Sequence, residues 1–501
     1  MRLKTLTLLL VLAVAASLAV AAHPRLAQSE PLVYGDVDCS SYVDSIDALL
    51  ILQTVAFQTW YFPCPKNTDL DNNGAVTASD ALFVLQFHAR LLQRLGPSDA
   101  TIPAVALALG DKHSCALTAQ GGLKCWGDNS SGQLGDGTTS SRRIPVDAVA
   151  PSQNFVAITA GREHTCALTD IGGVRCWGRN SLGQLGNGMS SGPQLCFDPG
   201  GLGEDYACSR TAVDVTGLAS GVRSISAGAD HTCAVLADDG VKCWGLAMNR
   251  AVSELCTRFE YPCSTVPLNV GTFSEGVAKI EVGFSHTCIL TTPGAVKCWG
   301  ANSDGQLGDG TTTDIDTPVE VNGLTDRVTA LALGETHTCV LTVGGAVECW
   351  GGNAAGQVGT PLTECAPLPA CRIMAPVVVT GLSSGVLAIT ADVRHNCVLT
   401  ENGGAKCWGE SGFGVLGAGG QEQCYGGPCS STPLDVTGLS SDAVQLAAGR
   451  LHNCVIVDEG SAQCWGFNFY EQLGVKTPNE ETQCFCSQAP VSVFGFGRTK
   501  P

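Results

Sequence analysis

Seven times along the chain a histidine is followed two residues later by a cysteine. Ten residues further on comes a second cysteine, which opens a Cys-Trp-Gly triplet. The histidines are His113, His164, His231, His286, His337, His395 and His452. The cysteines pair by spacing as Cys115 with Cys125, Cys166 with Cys176, Cys233 with Cys243, Cys288 with Cys298, Cys339 with Cys349, Cys397 with Cys407 and Cys454 with Cys464. Such residues could build metal sites, redox centres or covalent staples. Structural zinc is tetrahedral and its cysteines commonly lie about two to four residues apart, so the longer step argues against it. A hairpin turning at Ile171 would set Cys166 opposite Cys176 on one face. Opposed positions of that kind bring Cα atoms to about 4.5 Å, within reach of a disulfide. The spacing therefore predicts stapled hairpins, each worth roughly 2–3 kcal/mol. A catalytic histidine is needed once, not in every repeat, so the imidazoles are expected to bond a neighbouring turn or repeat. The tryptophans, on the opposite face, are expected to pack between repeats.

A second set of residues is rich in oxygen. Residues 36–47 and 69–80 both carry oxygen side chains at loop positions 1, 3, 5, 9 and 12, with an apolar residue at position 8. Ca²⁺ takes about six to eight oxygens, and a loop with this spacing supplies them. Each loop runs into an apolar helical pattern, Ala48–Leu52 and Ala81–Leu85. Position 6, where a sharp turn favours glycine, is Gly74 in the second loop but Ser41 in the first. The first loop also has only Ser40 at position 5, so its site is expected to be the weaker.

The duplicated loops resemble a type I dockerin across residues 33–96. The resemblance implies two calcium ions. Asp36, Asp38, Ser40, the Tyr42 carbonyl, Asp44 and Asp47 would hold one. Asp69, Asp71, Asn73, the Ala75 carbonyl, Thr77 and Asp80 would hold the other. It also implies a cohesin-like partner met at positions 10 and 11, here Ser45-Ile46 and Ala78-Ser79, which keep only part of the family's hydroxyl pair. Cys39 and Cys64 are the only cysteines in this region and are expected to pair. Residues 97–103, PSDATIP, read as a linker.

Bulk properties narrow the setting. The 501-residue chain carries a net charge of −18, which sets nucleic acid and anionic membranes aside as partners. Residues 1–22 combine Arg2 and Lys4, an apolar stretch and a small-residue end, the pattern of a secretory signal peptide. No later segment is apolar enough to span a bilayer. Twenty-six cysteines in an exported chain predict disulfides. The expected location is secreted or at the cell surface.

The elements that position the Cys-His repeat are short strands. In the second repeat they are Val156–Thr159, Thr165–Thr169, Gly173–Trp177 and Ala212–Val215, punctuated by glycine and polar residues. Four strands per repeat predict propeller blades, which bury their faces only by stacking in a ring. The motif HTCALT…GGVRCWGRNSLGQLGNG resembles the regulator of chromosome condensation repeat family, across residues 104–497. The resemblance implies a seven-bladed ring closed by chain-end strands, with Val105–Ala108 and Val491–Val493 available. The expected fold class is thus mainly β, a seven-bladed β-propeller preceded by a small α-helical calcium-loop domain. The family's founder is a nuclear exchange factor for a small GTPase, and no surface motif of that activity matches a position here. A secreted β-lactamase-inhibitory protein of the same fold is the nearer analogy.

Function is expected where the repeats stop repeating. Successive first cysteines lie 51, 67, 55, 51, 58 and 57 residues apart. Every unit longer than the minimum carries one further pair: Cys196 with Cys208, Cys256 with Cys263, Cys365 with Cys371 and Cys424 with Cys429. Cys484 and Cys486 follow the last repeat as a final pair. The insertions precede the last strand of each unit, which places them on one face. They contain Phe197, Arg258, Phe259, Tyr261, Tyr425 and Phe485, aromatic and arginine side chains suited to recognition. The expected function is an exported, non-catalytic scaffold that presents these loops to an extracellular protein or glycan. The calcium module would serve for docking. The alternatives are an enzyme sited in the propeller channel, or an inhibitor of a secreted enzyme. No non-repeated constellation of acid, base and nucleophile stands out in the sequence to support the enzyme.

Overall fold

The computed structural model describes residues 102–148, 154–189, 194–196, 206–246, 262–361, 371–419, 422–424, 427–476 and 485–496. The signal segment, the calcium loops, Cys39, Cys64 and most of the linker lie outside the described residues, so the α-helical character expected of the calcium-loop domain lies outside them too. The described residues form thirty strands, β1 (Ala104–Leu109) to β30 (Cys486–Ser492). These group into seven antiparallel sheets, each contiguous in sequence. Blade 1 is β1–β4 and blade 7 is β27–β30. Blades 2 and 6 add a three-residue strand inside the inserted segment, β8 (Gln194–Cys196) and β25 (Glu422–Cys424).

The hairpin of each blade follows from its sequence. In blade 2, β6 (His164–Thr169) and β7 (Val174–Arg179) pair with Cys166 opposite Cys176, and Val174 opposite Leu168. Gly172 sits at the turn with φ of 78°, a region that a residue with a Cβ enters at a cost. The Cys166 and Cys176 Cα atoms stand 4.1 Å apart and their sulfurs are bonded.

The other six hairpins repeat this register and this bond. Cys115 is bonded to Cys125 in blade 1, and Cys233 to Cys243 in blade 3. Cys288 is bonded to Cys298 in blade 4, and Cys339 to Cys349 in blade 5. Cys397 is bonded to Cys407 in blade 6, and Cys454 to Cys464 in blade 7. In every case the two cysteines face each other directly across the hairpin, so the spacing of ten residues and the staple have one cause.

The tryptophan of the Cys-Trp-Gly triplet lies on the other face of the sheet and fills the gap between blades. Trp126, Trp177, Trp244, Trp350, Trp408 and Trp465 are all fully buried. Each indole removes on the order of 200 Å² from water, so these six side chains dominate the seams. Gly135 of blade 1 lies directly under Trp177 of blade 2. A Cβ there would come within 2.8 Å of Nε1, which is why the turn ends in glycine.

Ring closure differs from the expectation of exchanged terminal strands. Residues Val105–Ala108 form part of β1, the innermost strand of blade 1, while Val491 and Ser492 end β30, the outermost strand of blade 7. No described blade combines strands from both chain ends. The seam between blades 7 and 1 is closed instead by packing and hydrogen bonds. Trp126 Nε1 donates to the Gln472 carbonyl at 2.9 Å, and its ring lies 5.7 Å from that of Phe496. Arg143 pairs with Glu471 at 2.8 Å, Arg450 with Asp111 at 3.1 Å, and Ile102 bridges to Phe496. Contacts of the same kind join the other blades, so a strand exchange is not needed to complete the ring.

Candidate functional site

The repeated histidines form a closed relay. His113 Nε2 meets Thr165 Oγ1 of the next blade at 2.9 Å, His164 meets Thr232, His231 meets Thr287, and His286 meets Thr338. His337 and His395 meet the side-chain oxygens of Asn396 and Asn453, and His452 returns to Ser114 of blade 1. The tautomer follows from the partners. The hydroxyls of Thr165, Thr338 and Ser114 already donate to backbone carbonyls of Gln133, Gln306 and Gln472. They must therefore accept from the histidine, so the proton sits on Nε2. Burial pushes His113, His286 and His452 down to about 3, and His164, His231, His337 and His395 down to about 4. These imidazoles are neutral girders between blades.

The cysteines are equally committed. Among the described residues no cysteine is free. In the inserted segments Cys196–Cys208 and Cys424–Cys429 are bonded. Cys263, Cys371 and Cys486 are also disulfide-bonded, while Cys256, Cys365 and Cys484 lie outside the described residues. Glu422 stands close to Cys424 and Cys429 in a grouping that could otherwise hold a metal, but the disulfide leaves it no thiolate.

The insertions and the β1–β2-type turns share one face of the ring, because His113 at the start of β2 (His113–Thr118) pairs with Gly127 at the end of β3 (Leu123–Gly127). Of the six recognition residues expected from the sequence, Phe485 is described. Phe197, Arg258, Phe259, Tyr261 and Tyr425 lie outside the described residues. Phe485 belongs to a larger aromatic cluster on blades 6 and 7. Its ring lies 5.2 Å from Phe469, which lies 5.1 Å from Tyr470 and 6.2 Å from Phe467; Phe467 in turn lies 4.8 Å from Phe413. Lys112 Nζ stands 4.5 Å over the Tyr470 ring. Phe413, Phe469 and Phe485 are 51%, 55% and 40% exposed.

This cluster arises where a turn shared by most blades changes its residues. Blade 1 reads Asn129-Ser130-Ser131-Gly132-Gln133-Leu134-Gly135, and the Asn129 side chain accepts the Leu134 amide to hold the turn. Blade 6 has Gly412-Phe413 and blade 7 has Phe469-Tyr470 where blade 1 has Ser130-Ser131. Phe413 lies at φ 56°, and Glu471 lies at φ 66° where blade 1 has Gly132. Non-glycine residues held there store about 1–3 kcal/mol of strain. The signal was present in the sequence as a departure from the turn motif rather than from the cysteine spacing.

The ring encloses a central channel of ≈ 360 Å³ lined by the inner strand of every blade. The fifth residue of these strands runs Ala108, Thr159, Ser226, Glu281, Ala332, Thr390 and Ala447. The hydroxyls of Thr159, Ser226 and Thr390 accept backbone amides of the following blade, from Ala227, Val282 and Ala448. Glu281 alone brings a carboxyl to this level. Burial pushes it up to about 7, against the pull of Lys279 and a hydrogen bond from Ser226. At one mouth Arg162 joins Asp111 (3.6 Å) to Asp230 (3.0 Å) and lies over the Phe284 ring at 4.6 Å.

The fold and the site together define a disulfide-stapled seven-bladed propeller with a shared tryptophan–histidine framework. A profile of the RCC1-like domain matches residues 84–432, and one of the regulator of chromosome condensation (RCC1) repeat matches residues 443–472. The chain belongs to the RCC1-like family. A dockerin type I domain profile matches residues 34–87. Among curated proteins the chain is similar to the ultraviolet-B receptor UVR8 of Arabidopsis thaliana, 27% identical over 397 residues, covering 77% of this chain and 82% of that protein. It is also similar to the human E3 ubiquitin-protein ligase HERC2, 29% identical over 275 residues, or 54% of this chain and only 5% of that protein. Prp20p of Saccharomyces cerevisiae shares the fold, with a TM-score of 0.61 at 19% identity, covering 79% of this chain and 88% of that one. Human WBSCR16 does so with a TM-score of 0.57 at 19% identity, covering 76% and 95%. Among the described residues no helix is long and apolar enough to cross a membrane.

Proposed function

We propose that the protein is an exported, non-catalytic recognition scaffold whose insertion face binds an extracellular protein or glycan. The observation that carries this reading is the exposed cluster of Phe413, Phe469 and Phe485 on that face. Contiguous exposed aromatics mark interaction sites, and the backbone strain at Phe413 and Glu471 supports a surface shaped for contact rather than for stability. The density of disulfides supports an oxidising location. The dockerin match supports a calcium-dependent docking module at residues 34–87, with a cohesin-like partner and two calcium sites of unequal strength.

Two experiments test the parts separately. Wild-type protein and a Phe413→Ser/Phe469→Ser variant are used as baits in extracellular extract and against a glycan array. A ligand retained by the wild type and lost with the variant supports the reading. Equal retention by both places recognition elsewhere and overturns it. Calorimetric Ca²⁺ titration is expected to show one tight and one weaker site, and absence of heat above background removes the docking module.

A further inference from the structure

The channel carries a feature that neither the framework nor the insertion face uses. Glu281 stands in the channel lining, half-buried, at the level where the other blades supply only alanine, serine or threonine. Among the described residues it has no cationic side chain within ion-pair distance, although Arg162, Arg394 and Arg450 at the mouth are each paired with an acid. Asp392, two positions beyond Thr390 on its strand, likewise lines the channel and accepts the Val393 amide. A half-buried carboxyl that has a hydrogen bond from Ser226 and only the distant field of Lys279 to offset its burial is stabilised further when a ligand supplies a cation.

We propose that the central channel is a binding site for an organic cation, an amine or guanidinium group, held by an ion pair with Glu281. The ≈ 360 Å³ of the channel falls within the range of small-ligand sites, roughly 300–1,000 Å³. A metal fits the lining poorly. Ca²⁺ takes about six to eight oxygens, whereas this level offers one carboxylate, and its neighbouring hydroxyls are engaged with backbone amides. An alkylammonium or guanidinium brings its own bulk and several donors to the one acceptor. Burial raises Glu281 to about 7, so its charged form is the one a cation would stabilise.

The test uses the full chain at pH 8 with agmatine, its neutral counterpart 1,4-diureidobutane, in which both cationic ends are replaced by ureas, and a blocked peptide with one central arginine. Saturable agmatine binding that falls at least tenfold in Glu281→Gln and is recovered in part by Glu281→Asp is expected, with the neutral counterpart not bound. Binding of agmatine assigns the site to free small amines. Binding of the peptide alone assigns it to a side chain of a partner protein. Glu281→Gln removes a half-buried charge, keeps the side-chain volume and leaves an oxygen to accept from Ser226, so it is expected to fold, checked by its melting temperature. Equal affinity of wild type and variant overturns the proposal, as does no saturable binding of either cation. The recognition face is untouched by the substitution, so ligand capture through Phe413 and Phe469 stands or falls separately.

Discussion

His452 of the last blade donates to the Ser114 hydroxyl of the first, at 2.9 Å, completing a ring of seven equivalent bonds. Ser114 in turn donates to the Gln472 carbonyl at 2.8 Å, the same carbonyl that receives the Trp126 indole. The seam that joins the chain ends is thus built from the same parts as a seam inside the chain. Ser114→Ala is expected to leave His452 without an acceptor and to destabilise by about 1–3 kcal/mol. Thr165→Ala, which breaks the equivalent bond between blades 1 and 2, should lower the unfolding midpoint by a similar amount. A much larger loss for Ser114→Ala in parallel denaturant titrations would show that the terminal seam is special.

The same ring predicts acid sensitivity. In the fold the seven imidazoles are neutral and titrate only at about 3 or 4. In the unfolded chain they take up protons near pH 6.5. Between those values the unfolded state binds more protons, so stability is full above about pH 6.5 and falls as pH drops toward 4. Each histidine contributes roughly 1.4 kcal/mol per pH unit in that window. Melting temperature measured from pH 7.5 to 4.5 should fall steeply below pH 6.5. In His231→Gln, where an amide replaces one imidazole, the slope should be shallower.

The hairpin staples give a third expectation. Each closes a short loop, and removing one is expected to cost roughly 2–3 kcal/mol. Cys166 and Cys176 are wholly buried and directly opposed, so a Cys166→Ala/Cys176→Ala double variant also loses packing between blades 2 and 3. Reductant should leave the folded ring intact until blades open, because the sulfurs are shielded from solvent. Thiol labelling should therefore track unfolding, and rapid labelling of the native protein would contradict the burial.

The framework of this fold is legible in its residues because each repeat must satisfy the same seam. The His-x-Cys and Cys-Trp-Gly spacing encodes a fixed hairpin register, and hairpin register is local chemistry. The single-face placement of the insertions follows from the strand count alone. Closure was less legible. Nothing in Val105–Ala108 or Val491–Val493 distinguishes an exchanged strand from one that stays in its own blade, and the Trp126 and Ser114 contacts that replace the exchange join residues more than 300 positions apart. Phe413, Phe469 and Tyr470 sit in a turn whose regular form is polar, so they are visible only when the turns are compared with one another. Glu281 is hidden for a similar reason. In the stretch Ala278-Lys279-Ile280-Glu281 it looks like an ordinary surface residue, and only the ring shows that its position faces the channel.

The strained aromatic turn allows function to be separated from stability. Phe413 holds φ 56° between two glycines, so Phe413→Gly relieves backbone strain that a side chain without a role would not be worth keeping. Its ring contacts Phe467 and is half exposed, so little buried area is lost. The substitution is expected to change stability by less than about 1 kcal/mol, with relief of strain offsetting lost contact. Phe467→Ala, by contrast, removes the ring that stacks beside Phe469 and packs on Phe413 and Tyr470, and should loosen the whole cluster. Ligand retention is expected to fall at least tenfold in Phe413→Gly while its melting temperature stays within a few degrees of the wild type. A variant that melts far lower would make Phe413 a packing residue. One that keeps both its stability and its ligand would remove this turn from the binding surface.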